Sequence, residues 1–262
     1  FVYTRFDNIN NRHLLYGARI GANGQITAPG EFPLAIGPGL NKGTPAVAFD
    51  GSNYLVTWLD TDGACCGQGS IYGTRVSPDG TVLDPGGILI ADGADWLFAV
   101  ASSGQNSLVT WVQSGSVRGM RVAPDGTLLD GTAQSGGFLI DGTAAYQKRH
   151  LAASYDGSEY LVAWAAGADV SNPGPPVGIF AARVSPAGSV LNGSAISVSG
   201  PPVDFEQFHY PAIASGGGAS LVNWLARFPL EWLMPFAAAV LAAMVVGMIC
   251  GFFLYDRWVF SG

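Results

Sequence analysis

Basic charge is scarce in this chain. There are only two lysines, Lys42 and Lys148, and Lys plus Arg total 12 against 19 Asp plus Glu, a formal net charge of -7. Nucleic acid is bound by neutralising phosphates with Lys and Arg, so this balance excludes it as a partner. Charged residues of both signs make up only 12% of the chain, which leaves ample apolar sequence for a core. Cysteine is limited to Cys65, Cys66 and Cys250. The absence of CxxC spacing and of a second cysteine pair argues against a zinc site.

Short catalytic signatures are missing too. No GxSxG, HExxH, phosphate-binding loop or dinucleotide fingerprint occurs. DTDG at 60–63 and SPDG at 77–80 resemble pieces of calcium loops, but neither continues into the ligand spacing with a closing Glu, so both are read as turns. The three histidines, at 13, 150 and 209, are scattered, and His209 in EQFHYP is read as a solvated loop residue despite the nearby Glu206. No catalytic residue, cofactor or metal ligand is expected, and the chain is expected to be non-enzymatic.

Residues 1–224 show no helical periodicity; they hold a repeat. PAVAFDGSNYLVTW (45–58), FAVASSGQNSLVTW (98–111), LAASYDGSEYLVAW (151–164) and PAIASGGGASLVNW (211–224) align without gaps, with Gly51, Gly104, Gly157 and Gly217 each seven residues before a Trp. A second part recurs as YGARIGANGQI from Tyr16, YGTRVSPDGTV from Tyr72, RGMRVAPDGTL from Arg118 and FAARVSPAGSV from Phe180. FVYTRFD at the start lies on YLVTWLD, with Arg5 in the Trp position.

Each unit reads as four short strands. A small-residue strand such as PAVAF ends at a DG or SG turn, and YLVTW follows with the aromatic and β-branched composition of a strand with one buried face. IYGTRV leads into SPDG, where Pro sets φ and Gly accepts a left-handed conformation in a tight hairpin turn, and TVLDPGGILI is the fourth strand. The Trp recur at intervals of 53, 53 and 60 residues. Four antiparallel strands per unit at that spacing predict an all-β, β-propeller-like array of about four blades, with five as the alternative. The partial units at the two ends predict a ring closed by pairing those ends, which would remove exposed sheet edges.

The repeated Arg19, Arg75, Arg121 and Arg183 are read as serving blade construction rather than forming an anion-binding ring, and Trp58, Trp111, Trp164 and Trp224 as packing between blades. Function is placed in the variable loops, at 59–70, 141–150, 167–178 and 200–211. Cys65 and Cys66 sit in the first of these, in an insertion the other units lack. An oxidised vicinal pair, two free thiols or a metal role are the three readings open for them.

After Trp224 the chain changes character. A linker at 225–231 leads to a predicted transmembrane helix at 232–258 and a tail at 259–262. The 24 residues from Trp232 to Tyr255 carry no charge, and as a helix they would span roughly 36 Å, enough for a hydrocarbon core of about 30 Å. Trp232, Tyr255 and Trp258 lie where an aromatic belt would form. Ala239, Ala243, Gly247 and Gly251 recur every four residues, a stripe of small residues that lets another helix approach closely. The expected partners are therefore the lipid bilayer and other transmembrane helices or membrane-complex subunits. Cys250, within the span, is read as an apolar filler.

The segments P-A-V-A-x-D-G, Y-L-V-x-W and G-x-R-V-S-P-D-G-x-V-L-D resemble the repeats of exported bacterial β-propeller proteins, over residues 1–224. The resemblance implies a β-domain on the periplasmic or extracellular side of the membrane. It says nearly nothing about activity, because propellers host binding, scaffolding and catalysis alike. The expected function is a membrane-anchored interaction or scaffold subunit. The alternative is a surface receptor that binds carbohydrate or another small ligand through its loops, and an enzyme would require carboxylates or histidines converging on one place.

Overall fold

A computed structural model describes residues 1–10, 12–34, 41–61, 68–95, 97–143, 147–167, 178–199, 209–216 and 219–226. The chain divides into two bodies: Phe1–Val203 with His209–Leu225, and Asp204–Phe208 with Ala226–Gly262. Apart from Ala226 the second body lies outside the described residues. So does the predicted span at 232–258 with its small-residue stripe. Among the described residues no helix is long and apolar enough to cross a membrane.

The first body is all-β and its strands follow the repeat through five successive units. Unit one holds β1 (Val2–Asp7), β2 (Arg12–Ile20) and β3 (Ile26–Pro33). Unit two holds β4 (Asn41–Phe49), β5 (Tyr54–Thr61), β6 (Gly69–Val76) and β7 (Ile88–Ala94). Unit three holds β8 (Phe98–Ser102), β9 (Ser107–Gln113), β10 (Ser116–Val122) and β11 (Phe138–Asp141). Unit four holds β12 (Gln147–Tyr155), β13 (Tyr160–Gly167), β14 (Gly178–Val184) and β15 (Ile196–Ser197). Unit five holds β16 (His209–Gly216) and β17 (Ala219–Ala226). Within each unit consecutive strands pair antiparallel, and one parallel pair, His13↔Asn41, ties unit one to unit two. The first strands stand side by side, β4 next to β8, β8 next to β12 and β12 next to β16.

The turns form as their residues dictate. The amide of Gly80 donates to the carbonyl of Ser77 at 2.9 Å, Gly126 to Ala123 at 2.8 Å and Gly188 to Ser185 at 2.9 Å. These glycines hold φ of 96°, 89° and 86°, a left-handed backbone that other residues adopt at a cost.

Three expectations need correction. The second strands are buried on both faces rather than one: Leu55–Thr61 and Ser107–Val112 are buried throughout, because each sheet is covered by a neighbour on either side. The fourth strand of unit two begins at Ile88, not at Thr81; after one bridge, Val76↔Val82, the chain leaves the ladder. There the Asp84 carboxylate turns back to accept from the Arg75 main-chain N–H at 2.9 Å, and Pro85 has no N–H to give. Finally, the expected pairing of the two ends is not what the described strands do. Strand β1 pairs with β2 and β17 with β16, in separate sheets.

The core lies between units. Trp58 packs with Leu15 and Leu34 of unit one, Trp111 with Leu55, Leu59, Ile71 and Ile90 of unit two, and Trp164 with Leu108, Val117 and Ile140 of unit three. All three indoles are fully buried, which makes each Trp the main apolar anchor holding its unit to the one before.

Candidate functional site

The alternation of strand direction gives the array two ends. At one end lie the tight turns, first to second strand and third to fourth. At the other, second strands end, third strands begin, and fourth strands connect to the next unit. The described residues that flank the four variable loops, at Thr61, Asp141, Gly167 and His209 among others, lie at this second end, here termed the loop end.

The turn end is uniform and tied together by the repeated arginines. Arg75 holds Asp84 in a two-pronged pair, with Nε to Oδ2 and Nη2 to Oδ1 both at 2.9 Å, and its Nη1 donates to the Pro124 carbonyl of unit three at 2.8 Å. Arg121 repeats the arrangement on Asp130 and donates to Pro186 of unit four at 2.9 Å. Arg19 donates to the carbonyl of Asp79 in unit two at 3.0 Å. Arg183 instead pairs with Glu159 of its own unit. Arg19, Arg75 and Arg121 are therefore clasps between units; the sequence reading preferred construction over an anion ring but had each arginine serve its own blade, as Arg183 does.

The loop end carries buried charge. Lys42 and Lys148 occupy the same place in their units, three residues before PAVAF and LAASY, and both are buried. Lys42 Nζ lies 3.4 Å from Asp60 Oδ2, its in-register neighbour on β5. Lys148 faces Ala166 in register and reaches instead to Asp141 of unit three, Nζ to Oδ2 at 2.9 Å. It also donates to the carbonyls of Gly115 and Thr143, while Thr143 Oγ1 donates to Asp141 Oδ1 at 2.9 Å. A cavity of about 50 Å³ adjoins this pair, lined by Asp141, Lys148, Trp164 and Phe180 among others. In both first strands the ladder shifts register just after the Lys, and Thr44 and His150 take positive φ of 45° and 51° at that bulge.

Unit three places Asp95 where the other two carry Lys. Burial pushes its carboxyl above the usual range, and a hydrogen bond from Gln68 partly offsets this. Close by, Ser70 Oγ donates to Asp92 Oδ1 at 2.9 Å and Gln113 Nε2 to the Asp92 carbonyl at 3.0 Å. In unit one His13 Nδ1 lies 3.3 Å from Asn41 Oδ1, and Asp7 is held below the usual carboxylate range, first by its hydrogen bond from Asn10.

Strand direction puts three histidines that are scattered in the sequence at one end of the array. His13, His150 and His209 lie at the loop-end starts of β2, β12 and β16. Sequence reasoning missed Lys42 and Lys148 as site residues; the signal was their shared position three residues ahead of the aligned block. Cys65 and Cys66, and Ala239, Ala243, Gly247 and Gly251, lie outside the described residues. Among the described residues no group of three or more His, Cys, Asp or Glu is arranged to hold a metal.

No family model matches the chain, and no curated protein matches it. Among solved structures it is similar to a GH43 endo-arabinanase from Bacillus licheniformis, at 12% identity and a TM-score of 0.40, over 87% of this chain and 93% of that one. A likeness at that level carries no activity over. It does overturn the expectation of a non-enzymatic chain: the matched chain is by its description an enzyme, so the lack of short catalytic motifs here excludes nothing.

Proposed function

We propose that residues 1–224 form a β-propeller of the exported bacterial type whose loop end binds a neutral, hydroxyl-rich ligand of the carbohydrate class. The observation that supports this is the segregation of the two ends: clasped turns at one, and buried, paired polar groups at the other. Those groups come as matched donors and acceptors, Lys42 with Asp60, Lys148 with Asp141, and Gln68 with Asp95. Hydroxyl groups both donate and accept, so they suit such a floor better than a ligand of one strong charge. Titrating the solubilised full chain with a panel of neutral oligosaccharides tests the reading. Saturable binding that is weakened by His13→Ala and Asn41→Ala but unchanged by Asp79→Ala at the turn end supports it. Absence of binding across the panel, or equal sensitivity at both ends, overturns it.

The uncharged sequence from Trp232 to Tyr255 supports a further element of the same reading, in which a helix at 232–258 holds the domain at the outer face of a membrane and meets other helices through Ala239, Ala243, Gly247 and Gly251. Leucine at Gly247 and Gly251 is expected to abolish co-purification of the helix's membrane partners while leaving oligosaccharide binding intact. A chain extracted from membranes without detergent would overturn the anchor.

A further inference from the structure

Unit four carries a small residue where units two and three carry long polar ones. Asp60, Gln113 and Ala166 hold one repeat position, two residues after Trp58, Trp111 and Trp164. In unit two Lys42 meets Asp60 there, in register across the ladder. The methyl side chain of Ala166 gives Lys148 no such partner, so Lys148 turns to Asp141 of unit three, and space is left beside it. That space is the cavity of about 50 Å³, room for about three water-sized groups. Its apolar wall is Trp164, Ala166, Phe180 and Ala195, and its polar lining is Asp141, Thr143 and Lys148. Trp164 and Ala166 are buried while Thr143 is exposed, which gives the cavity an outer side.

The polar lining offers acceptors and no spare donor. An ammonium has three N–H groups, and those of Lys148 go to Asp141 Oδ2 at 2.9 Å and to the carbonyls of Gly115 and Thr143. The Thr143 hydroxyl gives its one hydrogen to Asp141 Oδ1, also at 2.9 Å. A carboxylate accepts at about four lone-pair positions. The bonds from Lys148 and Thr143 use two of them, so Asp141 can still accept from an occupant. A lone hydroxyl would reach Asp141 but leave the apolar wall uncovered. The group that suits both places an N–H and a methyl on one edge and carries its own acceptor on the opposite edge.

A trans acetamide is built in this way: its methyl and its N–H lie on the same side of the planar C–N bond, and its carbonyl oxygen lies on the other. We propose that the cavity between Asp141 and Trp164 is a subsite for the acetamido group of an N-acetylated amino sugar. The amide N–H donates to Asp141, the methyl covers Trp164, Ala166, Phe180 and Ala195, and the carbonyl turns outward to water. The group is uncharged, as a site whose one cation is already neutralised requires. This subsite rests on the carbohydrate reading of the loop end and narrows it to one class of sugar. Ala166 is the residue that sets the preference, because Asp60 and Gln113 take its place in units two and three.

The test uses the solubilised full chain and pairs of oligosaccharides that differ only at the second ring carbon, N-acetylglucosamine against glucose and N-acetylgalactosamine against galactose, followed by calorimetry and saturation-transfer NMR. An N-acetylated member is expected to bind at least tenfold more tightly than its hydroxyl counterpart, with the strongest transfer at the acetyl methyl. Ala166→Leu, which fills the cavity, is expected to remove that preference while the hydroxyl counterpart binds as before. Ala195→Leu, on the wall away from the Lys148 and Asp141 bonds, is expected to act likewise. Should either variant fail to fold, the transfer to the acetyl methyl in the parent chain decides. Equal affinity within every pair, a preference that survives both variants, or an acetyl methyl that receives no more transfer than the ring protons overturns the subsite and leaves the carbohydrate reading standing. Absence of binding by every pair overturns both.

Discussion

Unit one and the units that follow it are written in the same sequence pattern, yet they treat the same position oppositely. Trp58, Trp111 and Trp164 are buried against the preceding unit, while Arg5 in that place lies on the surface, over the Tyr16 ring at 4.6 Å and paired with Glu31. One residue further on, Phe6 is 45% exposed and Leu59 is 1% exposed. The two second strands share Thr4 with Thr57 and Asp7 with Asp60 in the alignment and differ in the residues between. What also differs is whether a neighbouring sheet stands on that face, and a cation–π contact with an exposed ion pair serves where burial is not on offer.

The largest expected effect tests that contrast directly. Trp111→Ala removes a fully buried indole between units two and three and is expected to cost about 3–5 kcal/mol in urea denaturation. Arg5→Ala is expected to leave the denaturation midpoint within experimental error; an equal loss at both positions would break the comparison. Next comes Lys148→Met, which strands the Asp141 carboxylate in the interior at a cost of about 3 kcal/mol or more. Adding Asp141→Leu to that variant is expected to recover most of the loss, since two matched apolar groups replace a desolvated pair.

A smaller contrast lies in the turn glycines. Gly24 and Gly188 both hold positive φ, 76° and 86°. A Cβ on Gly24 meets nothing within 4 Å, whereas one on Gly188 would stand 2.7 Å from Arg121 Nε. Alanine at Gly24 is expected to cost about 1 kcal/mol for the backbone alone, and alanine at Gly188 measurably more, because the clasp must shift. Equal losses in thermal denaturation would show that Arg121 gives way freely.

The smallest effects concern pH. Burial alone would raise Asp84, but hydrogen bonds from the Arg75 side chain and main chain outweigh it and hold the carboxyl below the usual range. Its contribution to stability is therefore present above the unfolded value of about 3.9 and is lost as pH falls through the folded value. Asp95 runs the other way. Its raised folded value makes the native state the better proton binder, so its contribution declines as pH rises from about 3.9 through that folded value. Asp84→Asn is expected to flatten the acid limb of a stability profile, and Asp95→Asn to raise stability slightly at neutral pH. Changes of the same sign would contradict this assignment.

Much of the fold was readable because the turns and the Trp recur at fixed spacing, and both properties are local or nearest-neighbour in origin. The arginines were read correctly as construction, although their reach to the next unit's carbonyl has no sequence signal. The beginning of the fourth strand was misplaced because Asp84 competes for the Arg75 N–H that a ladder would otherwise use. The loop end was hardly readable. Lys42 finds its carboxylate across the strand at Asp60 and Lys148 finds its own in the preceding unit at Asp141, so no common spacing marks the pair. His13, His150 and His209 are brought to one end only by strand direction.

The arginine clasps also give the array a direction. Arg19, Arg75 and Arg121 each reach forward, from unit one to two, two to three and three to four, while Arg183 turns back within its own unit. The bond couples both partners equally, since an interaction free energy is reciprocal, but every donor sits in the earlier unit. Replacing Arg19, Arg75 or Arg121 therefore loosens one boundary each, between units one and two, two and three, or three and four, and replacing Arg183 loosens none of those three.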